Sequence, residues 1–385
     1  MSQVIYLDNN ATTRIDPRVL EAMMPYLTET YANSSSTHAF GVQADEAVKT
    51  ARAQVADLIG CEANEIVFTS GATEAINLAL KGITENYKDK GKHIITVLTE
   101  HPAVLDTCRY METIGYKVTY LPVKKDGLLD LETLRQSVRN DTVLVSVMLV
   151  NNEIGVIHPI KEISRIAHLK GALFMTDGTQ AVGKMTVDVD DLGIDLMSFS
   201  AHKFYGPKGI GALFVRGKQP NKVKLNAFLH GGGQEKGLRS GTLNVPGIVG
   251  FGKAAEIALQ KMEADANRIG ELRDYLEKEL LKVENTSLNG HSTQRLYNVS
   301  SMCFKGADMD AMIIGLRGIA LSNGSACTSA SIDPSHVLKA IGMSDEDAFS
   351  TIRFSLGRFN TQEEIDITLA QLINLLKKIR ILETP

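Results

Sequence analysis

Lys203 stands directly after an apolar run in "FSAHKFYGPKGIG", with Ser200 and His202 beside it and Gly206, Gly209 and Gly211 behind. An isolated lysine is ordinarily a solvated surface group. At the end of a β-strand, inside a crevice, its amine can instead shed its proton and form a Schiff base with a carbonyl. If that carbonyl belongs to pyridoxal phosphate, three further needs follow: an acid for the pyridine nitrogen, a cradle for the phosphate and a group against the ring. Asp177, closing "ALFMTD", is the candidate acid, although a cap or turn former would look the same. Gly71, Ala72 and Thr73 lie where a strand passes into a helix, and the free N–H groups and dipole of a helix start attract phosphate. Ser200 and His202 add side-chain donors, and His101 in "TEHPAV" can cover the ring and exchange protons, or equally be a satisfied core histidine. A nucleotide-binding P-loop is excluded: "GALFVRGKQ" has the wrong spacing before its Gly-Lys and Gln where Ser or Thr is required.

The second reactive candidate is a thiol. Cys327 lies in "ALSNGSACTSAS", among Ser, Gly, Ala and Thr, with little apolar surface nearby to bury it. Cys61, Cys108 and Cys303 have apolar neighbours and read as small buried hydrophobes. None of the cysteines forms a C-x-x-C pair or a zinc spacing, so disulfides and a structural metal are not expected.

These side chains need a scaffold that brings them together. Between residues 65 and 216 seven β-rich runs alternate with amphipathic helical patterns such as "ATEAINLALKGITENYK" and "IKEISRIAHLKG". The alternation predicts an α/β domain with a largely parallel sheet and helices on both faces. Five of the runs end in polar or glycine-bearing clusters, "TSGATEA", "TEHPAV", "NNEIG", "TDGTQ" and "SAHKFYGPKG". Ligands of open α/β sheets bind at the carboxyl ends of the strands, so the clusters are placed to meet in one crevice. Beyond residue 245 a long charged helical pattern suits a bridge between domains. Strand-like runs "RLYNVSSMCF", "GIALSNG" and "TIRFSLG" follow, then a last amphipathic helix opened by a Thr361/Glu364 capping box, which together read as a smaller α+β domain.

Of the 385 residues, 44% are hydrophobic and 22% charged, with a net charge of −4, which gives no electrostatic reason to expect nucleic acid. The start lacks a signal-peptide pattern and no apolar run approaches a membrane span, so a cytoplasmic protein without direct nucleic-acid or membrane partners is expected.

Taken together, "YLDNNATT", "TSGATEAIN", "EHPAV", "NNEIG", "DGTQAVGK", "SFSAHKFYGPKGIG", "RSGTLN", "GSACTS" and "IRFSLGRF" resemble the cysteine desulfurases of the NifS/IscS type, in the group with a longer cysteine loop. The resemblance runs from Tyr6 to Phe359. It implies pyridoxal-phosphate fold type I, the aspartate aminotransferase-like α/β fold, with a large domain on a mostly parallel seven-stranded sheet plus a smaller α+β domain. On that pattern residues 15–257 form the cofactor-binding domain, and 1–14 with 258–385 form the small domain carrying the cysteine loop. It implies a homodimer that binds pyridoxal 5'-phosphate through Lys203, with Asp177 on the pyridinium and His101 stacked on the ring. Gln180 would lie at the phenolic oxygen. Ala72, Thr73, Ser200 and His202 would hold the phosphate, joined by Thr242 of a neighbouring subunit. Asn152 and Arg353 would bind the substrate carboxylate, a planar guanidinium gripping it through paired hydrogen bonds.

The implied reaction converts L-cysteine to L-alanine and leaves the sulfur as a persulfide on Cys327, for an iron-sulfur scaffold or another sulfur-acceptor protein. A selenocysteine lyase, or another pyridoxal-phosphate lyase or aminotransferase, would share Lys203 and Asp177; a non-catalytic sulfur-carrier scaffold would not need them. Cys327 could also be a transient ligand to an iron-sulfur cluster. Where the family usually shows Gly-Asn-Pro-Ser-Ser, this chain has Ala32, Asn33, Ser34, Ser35 and Ser36, and Asn323 replaces a common serine in the cysteine loop. No extended tail follows "ILETP" of the kind that helps to dock a scaffold in some relatives.

Overall fold

The computed structural model describes residues 4–219, 222–322 and 333–382. Cys327 and Asn323 lie outside the described residues. In chain order the strands are β1 (Ile5–Tyr6), β2 (Ile66–Thr69), β3 (His93–Val97), β4 (Lys117–Leu121), β5 (Thr142–Ser146), β6 (Leu173–Asp177), β7 (Leu196–Ser200), β8 (Gly211–Val215), β9 (Thr286–Leu288), β10 (Val299–Phe304), β11 (Ile319–Ala320) and β12 (Thr351–Ser355).

Seven of them form the main sheet, in the order β2-β8-β7-β6-β5-β3-β4. The pairs from β7 through β6, β5 and β3 to β4 are parallel, whereas β8 runs antiparallel to both β2 and β7. Successive residues of these strands point to opposite faces. Ile95, Phe174, Phe199 and Phe214 pack with the helices Ala39–Ile59 and Val245–Leu280 on one side. Ile94, Met175, Leu196 and Leu213 pack with the helices Ala72–Tyr87 and Pro102–Thr113 on the other. Both faces are covered, which is why the strands read as continuous apolar runs.

A second core gathers Ile5 and Leu7 from the start of the chain, Met302 and Phe304, Ile352 and Phe354, and Ile365 and Leu372. These flank the antiparallel sheet β12-β10-β9 and the helix Gln362–Leu382. The capping box opens that helix: Thr361 N–H donates to Glu364 Oε2 at 3.2 Å and Glu364 N–H to Thr361 Oγ1 at 3.3 Å. The helix Val245–Leu280 contributes Ile248, Phe251 and Ala255 to the first core and Leu272, Leu276 and Leu280 to the second. It is capped by Asn244, whose Oδ1 accepts from Gly247 N–H, and has Pro246 in its first turn, where a missing N–H costs nothing.

Candidate active site

The carboxyl ends of the main-sheet strands open into a cleft of about 430 Å3. Its wall holds Ala72 and Thr73 after β2, His101 after β3, Asn152 beyond β5, Asp177 and Gln180 at the end of β6, and Ser200, His202 and Lys203 at the end of β7. Arg353 enters from β12. Thr242 is exposed and does not line this cleft. The stretch 32–36 is also away from it, folded as a turn in which Asn33 accepts from Ser35 and Ser36 N–H groups.

Lys203 closes a 3-10 turn, Ala201–Lys203, that stops β7 and aims the amine back across the strand ends. Its Nζ donates to the carbonyls of Asn10 and Ala11 at 2.5 and 2.7 Å. Asp177 is buried, and its Oδ1 accepts from Thr179 N–H at 2.9 Å, so the turn-forming role is present while the residue still faces the cleft. Ser200 Oγ accepts from Ala72 N–H at 2.8 Å, tying β7 to the first turn of the helix Ala72–Tyr87. Gly211 must be glycine beside them, because a Cβ there would meet the Gly71 Cα at 2.7 Å.

His101 is the N-cap of the helix Pro102–Thr113, with Nδ1 accepting from Ala103 N–H at 3.1 Å. That bond leaves the proton of the neutral ring on Nε2. Burial lowers its pKa, helped by Lys203 and His336 and opposed by Asp177. His202, bonded through Nδ1 to Thr12 Oγ1 at 3.1 Å, is held down to about 4 by burial and by Lys203, Lys208 and Lys184. Both rings are therefore neutral near pH 7.

Arg353 is 2% exposed, and it donates from Nη2 to Asp8 Oδ1 at 2.7 Å and from Nη1 to the Asn152 carbonyl at 3.0 Å. Its buried Nε has no hydrogen-bond partner among the described residues, a spare donor beside the cleft. The other three cysteines take no part. Cys108 and Cys303 are buried and Cys61 half-buried, and burial raises all three thiol pKa values.

Residues the sequence reading did not single out complete the wall. The Asn10 carbonyl receives both Lys203 Nζ and Gln180 Nε2, its side chain donates to the Asn152 carbonyl at 3.1 Å, and its N–H donates to Ser355 Oγ at 2.9 Å. Asp8 and Asn10 belong to "YLDNNATT", a motif that carried the resemblance without residue roles. Glu100, behind His101, is wholly buried, and burial with the charge of Asp177 raises its pKa well above the carboxylate range. Glu74, at the rim, pairs with Arg239 at 2.7 Å and accepts from Ser70 N–H at 2.8 Å.

A seven-stranded mixed sheet with a strand-end lysine, an acid and a helix-start cradle defines the chain's class: it belongs to the class-V aminotransferases, whose family profile matches residues 5–368. Within that class its relatives are cysteine desulfurases. It is 53% identical to the cysteine desulfurase IscS of Pectobacterium carotovorum subsp. carotovorum, over 96% of this chain and 92% of that protein. It is 51% identical to that of Klebsiella pneumoniae, over 99% and 94%. Among solved structures, a NifS-like protein superimposes with a TM-score of 0.91 at 39% identity, covering 98% of this chain and all of that one. SspA in complex with cysteine gives 0.82 at 38% identity, covering 93% of this chain and 100% of that one.

The cofactor of this family is pyridoxal 5'-phosphate, and the donor set fits it. An amine, a buried carboxyl and hydroxyl and imidazole donors at a helix start face one cavity. The buried Thr179 hydroxyl in its wall has no partner among the described residues, and it is a further polar group awaiting a ligand.

Proposed function

We propose that this chain is a pyridoxal-phosphate-dependent cysteine desulfurase that turns L-cysteine into L-alanine and keeps the sulfur on Cys327. The observation that carries the reading is a single cleft in which Lys203, Asp177, His101 and Arg353 converge from strands far apart in the chain. Similarity to the structure of SspA in complex with cysteine supports the substrate.

Bound pyridoxal phosphate supplies an electron sink for the pair released when the substrate's α-proton leaves. Lys203 provides the amine that holds the cofactor, and Asp177 keeps a proton on the pyridine nitrogen. Ala72, Thr73, Ser200 and His202 hold the phosphate, where a helix dipole and neutral donors favour an anion. Asn152 and Arg353 bind the substrate carboxylate, Arg353 through the N–H edge that has no partner among the described residues. Lys203 or His101 moves the α-proton; the depressed pKa of His101 keeps it available as a base.

Cys327 then attacks as thiolate. Its sulfur bonds to the sulfur of the substrate, the substrate's Cβ–S bond breaks, and the electron pair left on that carbon takes up a proton to give alanine. Cysteine plus one thiol thus become alanine plus one persulfide, with no external oxidant or reductant.

The persulfide is delivered to an iron-sulfur scaffold or another acceptor protein in the cytoplasm, and no described helix is long and apolar enough to cross a membrane. The working unit is a homodimer in which Thr242 reaches the phosphate of the neighbouring subunit. In support, Thr242 is exposed and does not line its own cleft, and its loop is pinned by two ion pairs, Glu235 with Arg52 at 2.6 Å and Arg239 with Glu74. Residues 15–257 act as the cofactor domain, and 1–14 with 258–385 as the small domain.

The test is alanine release from L-cysteine with a reductant present, comparing the loaded protein with Cys327→Ala. Loss of turnover with cofactor binding intact is expected. Equal turnover in both would remove the thiol from the mechanism and with it the desulfurase reading.

A further inference from the structure

Lys184, the last residue of "DGTQAVGK", is only 5% exposed and takes no part in the reaction described above. Its hydrogen-bond partners are neutral: Gln180 Oε1 at 2.6 Å and Asn10 Oδ1 at 3.4 Å. A buried lysine head with only neutral amides against it is costly. Burial, with Lys203 and Arg353 nearby, pushes its pKa well below the ordinary lysine value.

What this arrangement does is remove an ambiguity. A glutamine carboxamide can turn either its oxygen or its nitrogen toward a ligand, whereas a lysine ammonium only donates and a carbonyl only accepts. Lys184 Nζ holds the oxygen of Gln180, and the Asn10 carbonyl takes a hydrogen from Gln180 Nε2 at 2.9 Å. The same carbonyl has a second lone pair for Lys203 Nζ, so Lys184 and the Asn10 carbonyl hold the amide in the same sense, one at its oxygen and the other at its nitrogen. We infer that Lys184 is a positioning residue, which keeps the N–H edge of the Gln180 carboxamide toward the cleft so that Gln180 donates to the phenolic oxygen of the bound cofactor. The inference rests on the cofactor contact proposed for Gln180.

A donor at that oxygen favours its anionic form and lowers the pKa of the cofactor's visible spectral transition; a carbonyl oxygen facing it does the reverse. The experiment is a pH titration of the visible spectrum of the cofactor-loaded protein and of Lys184→Met, Lys184→Gln, Gln180→Ala and the Lys184→Met/Gln180→Ala double variant. Lys184→Met is expected to raise the transition pKa by about one unit or more, the size of a lost hydrogen bond to a charged oxygen. Lys184→Gln, which retains an N–H donor, is expected to restore most of the shift. In the Gln180→Ala background Lys184→Met should add nothing, because the lysine acts through the glutamine. An unmoved pKa in Lys184→Met, or shifts that add in the double variant, overturns the inference. Lys184→Ala serves the same comparison if the methionine variant does not fold. A wild-type protein that acquires no visible cofactor band would instead defeat the functional reading itself.

Discussion

Replacing Arg353 by lysine keeps the charge and removes the fork. The guanidinium is committed on Nη2 to Asp8 and on Nη1 to the Asn152 carbonyl, and it still has Nε–H to spare. An ammonium at that position can satisfy Asp8 or a substrate carboxylate, but it cannot present two parallel donors to one. Two charge-assisted hydrogen bonds are worth ~1.5–3 kcal/mol each, and a lysine recovers part of that, so a net loss of about 3–4 kcal/mol is expected. At 1.36 kcal/mol per decade this is a fall of roughly 10²- to 10³-fold in kcat/KM. The carboxylate stays bound through the reaction, so the loss should appear mainly in KM. Steady-state alanine release over a range of L-cysteine concentrations measures it, with cysteamine, which lacks the carboxylate, as a binding competitor expected to be indifferent to the change. A KM within threefold of the wild type, with the protein folded and loaded, would refute the carboxylate role of Arg353.

Asp177→Asn preserves the bond from Thr179 N–H to the side-chain oxygen but cannot hold the pyridine proton, so alanine release should drop by about 10² or more while the fold persists; circular dichroism and turnover together check it. Glu235→Ala leaves Arg52 without its buried partner and frees Phe68 N–H, so urea denaturation should show a loss of about 3 kcal/mol; less than 1 would contradict the pairing. His158 is buried with neither ring nitrogen bonded among the described residues, and burial holds its pKa at about 4. Its folded pKa lies below the unfolded value of about 6.5, so its contribution is intact above that pH and erodes as pH falls toward 4, by ~2 kcal/mol at pH 5. His158→Gln should flatten that part of the melting-temperature profile between pH 7 and 5.

The local alternation of apolar runs and helical patterns was enough to read the sheet strand by strand, and the polar clusters after the strands indicated where a cleft would form. Those signals are carried by neighbouring residues: the apolar run of β6 ends on Asp177, and that of β7 on Ser200. "TVLVSVMLV" read as one strand, but β5 ends at Ser146 and the rest continues as a buried irregular segment toward Asn152, because the chain must turn there into the cleft. The antiparallel direction of β8 left no mark on composition. Asn10, Asp8 and Lys184 were not legible either. Asp8 meets Arg353 across 345 positions, a separation on which periodicity is silent. Lys184 looks like any surface lysine until burial is known.

The turn at Asn9 and Asn10 bears on biosynthesis. Asn9 N–H bonds to the Ser355 carbonyl at 3.0 Å and Asn10 N–H to Ser355 Oγ, so residues made first are seated by residues made near the end. A nascent chain folds from its amino terminus, and the main sheet can form while translation continues. The cleft lacks Arg353 and the seating of Asn10 until the ribosome has passed residue 355. On the proposed roles, prematurely terminated chains would carry Lys203 without the wall assigned to the substrate, and capture of L-cysteine would be a property of chains extended past that point.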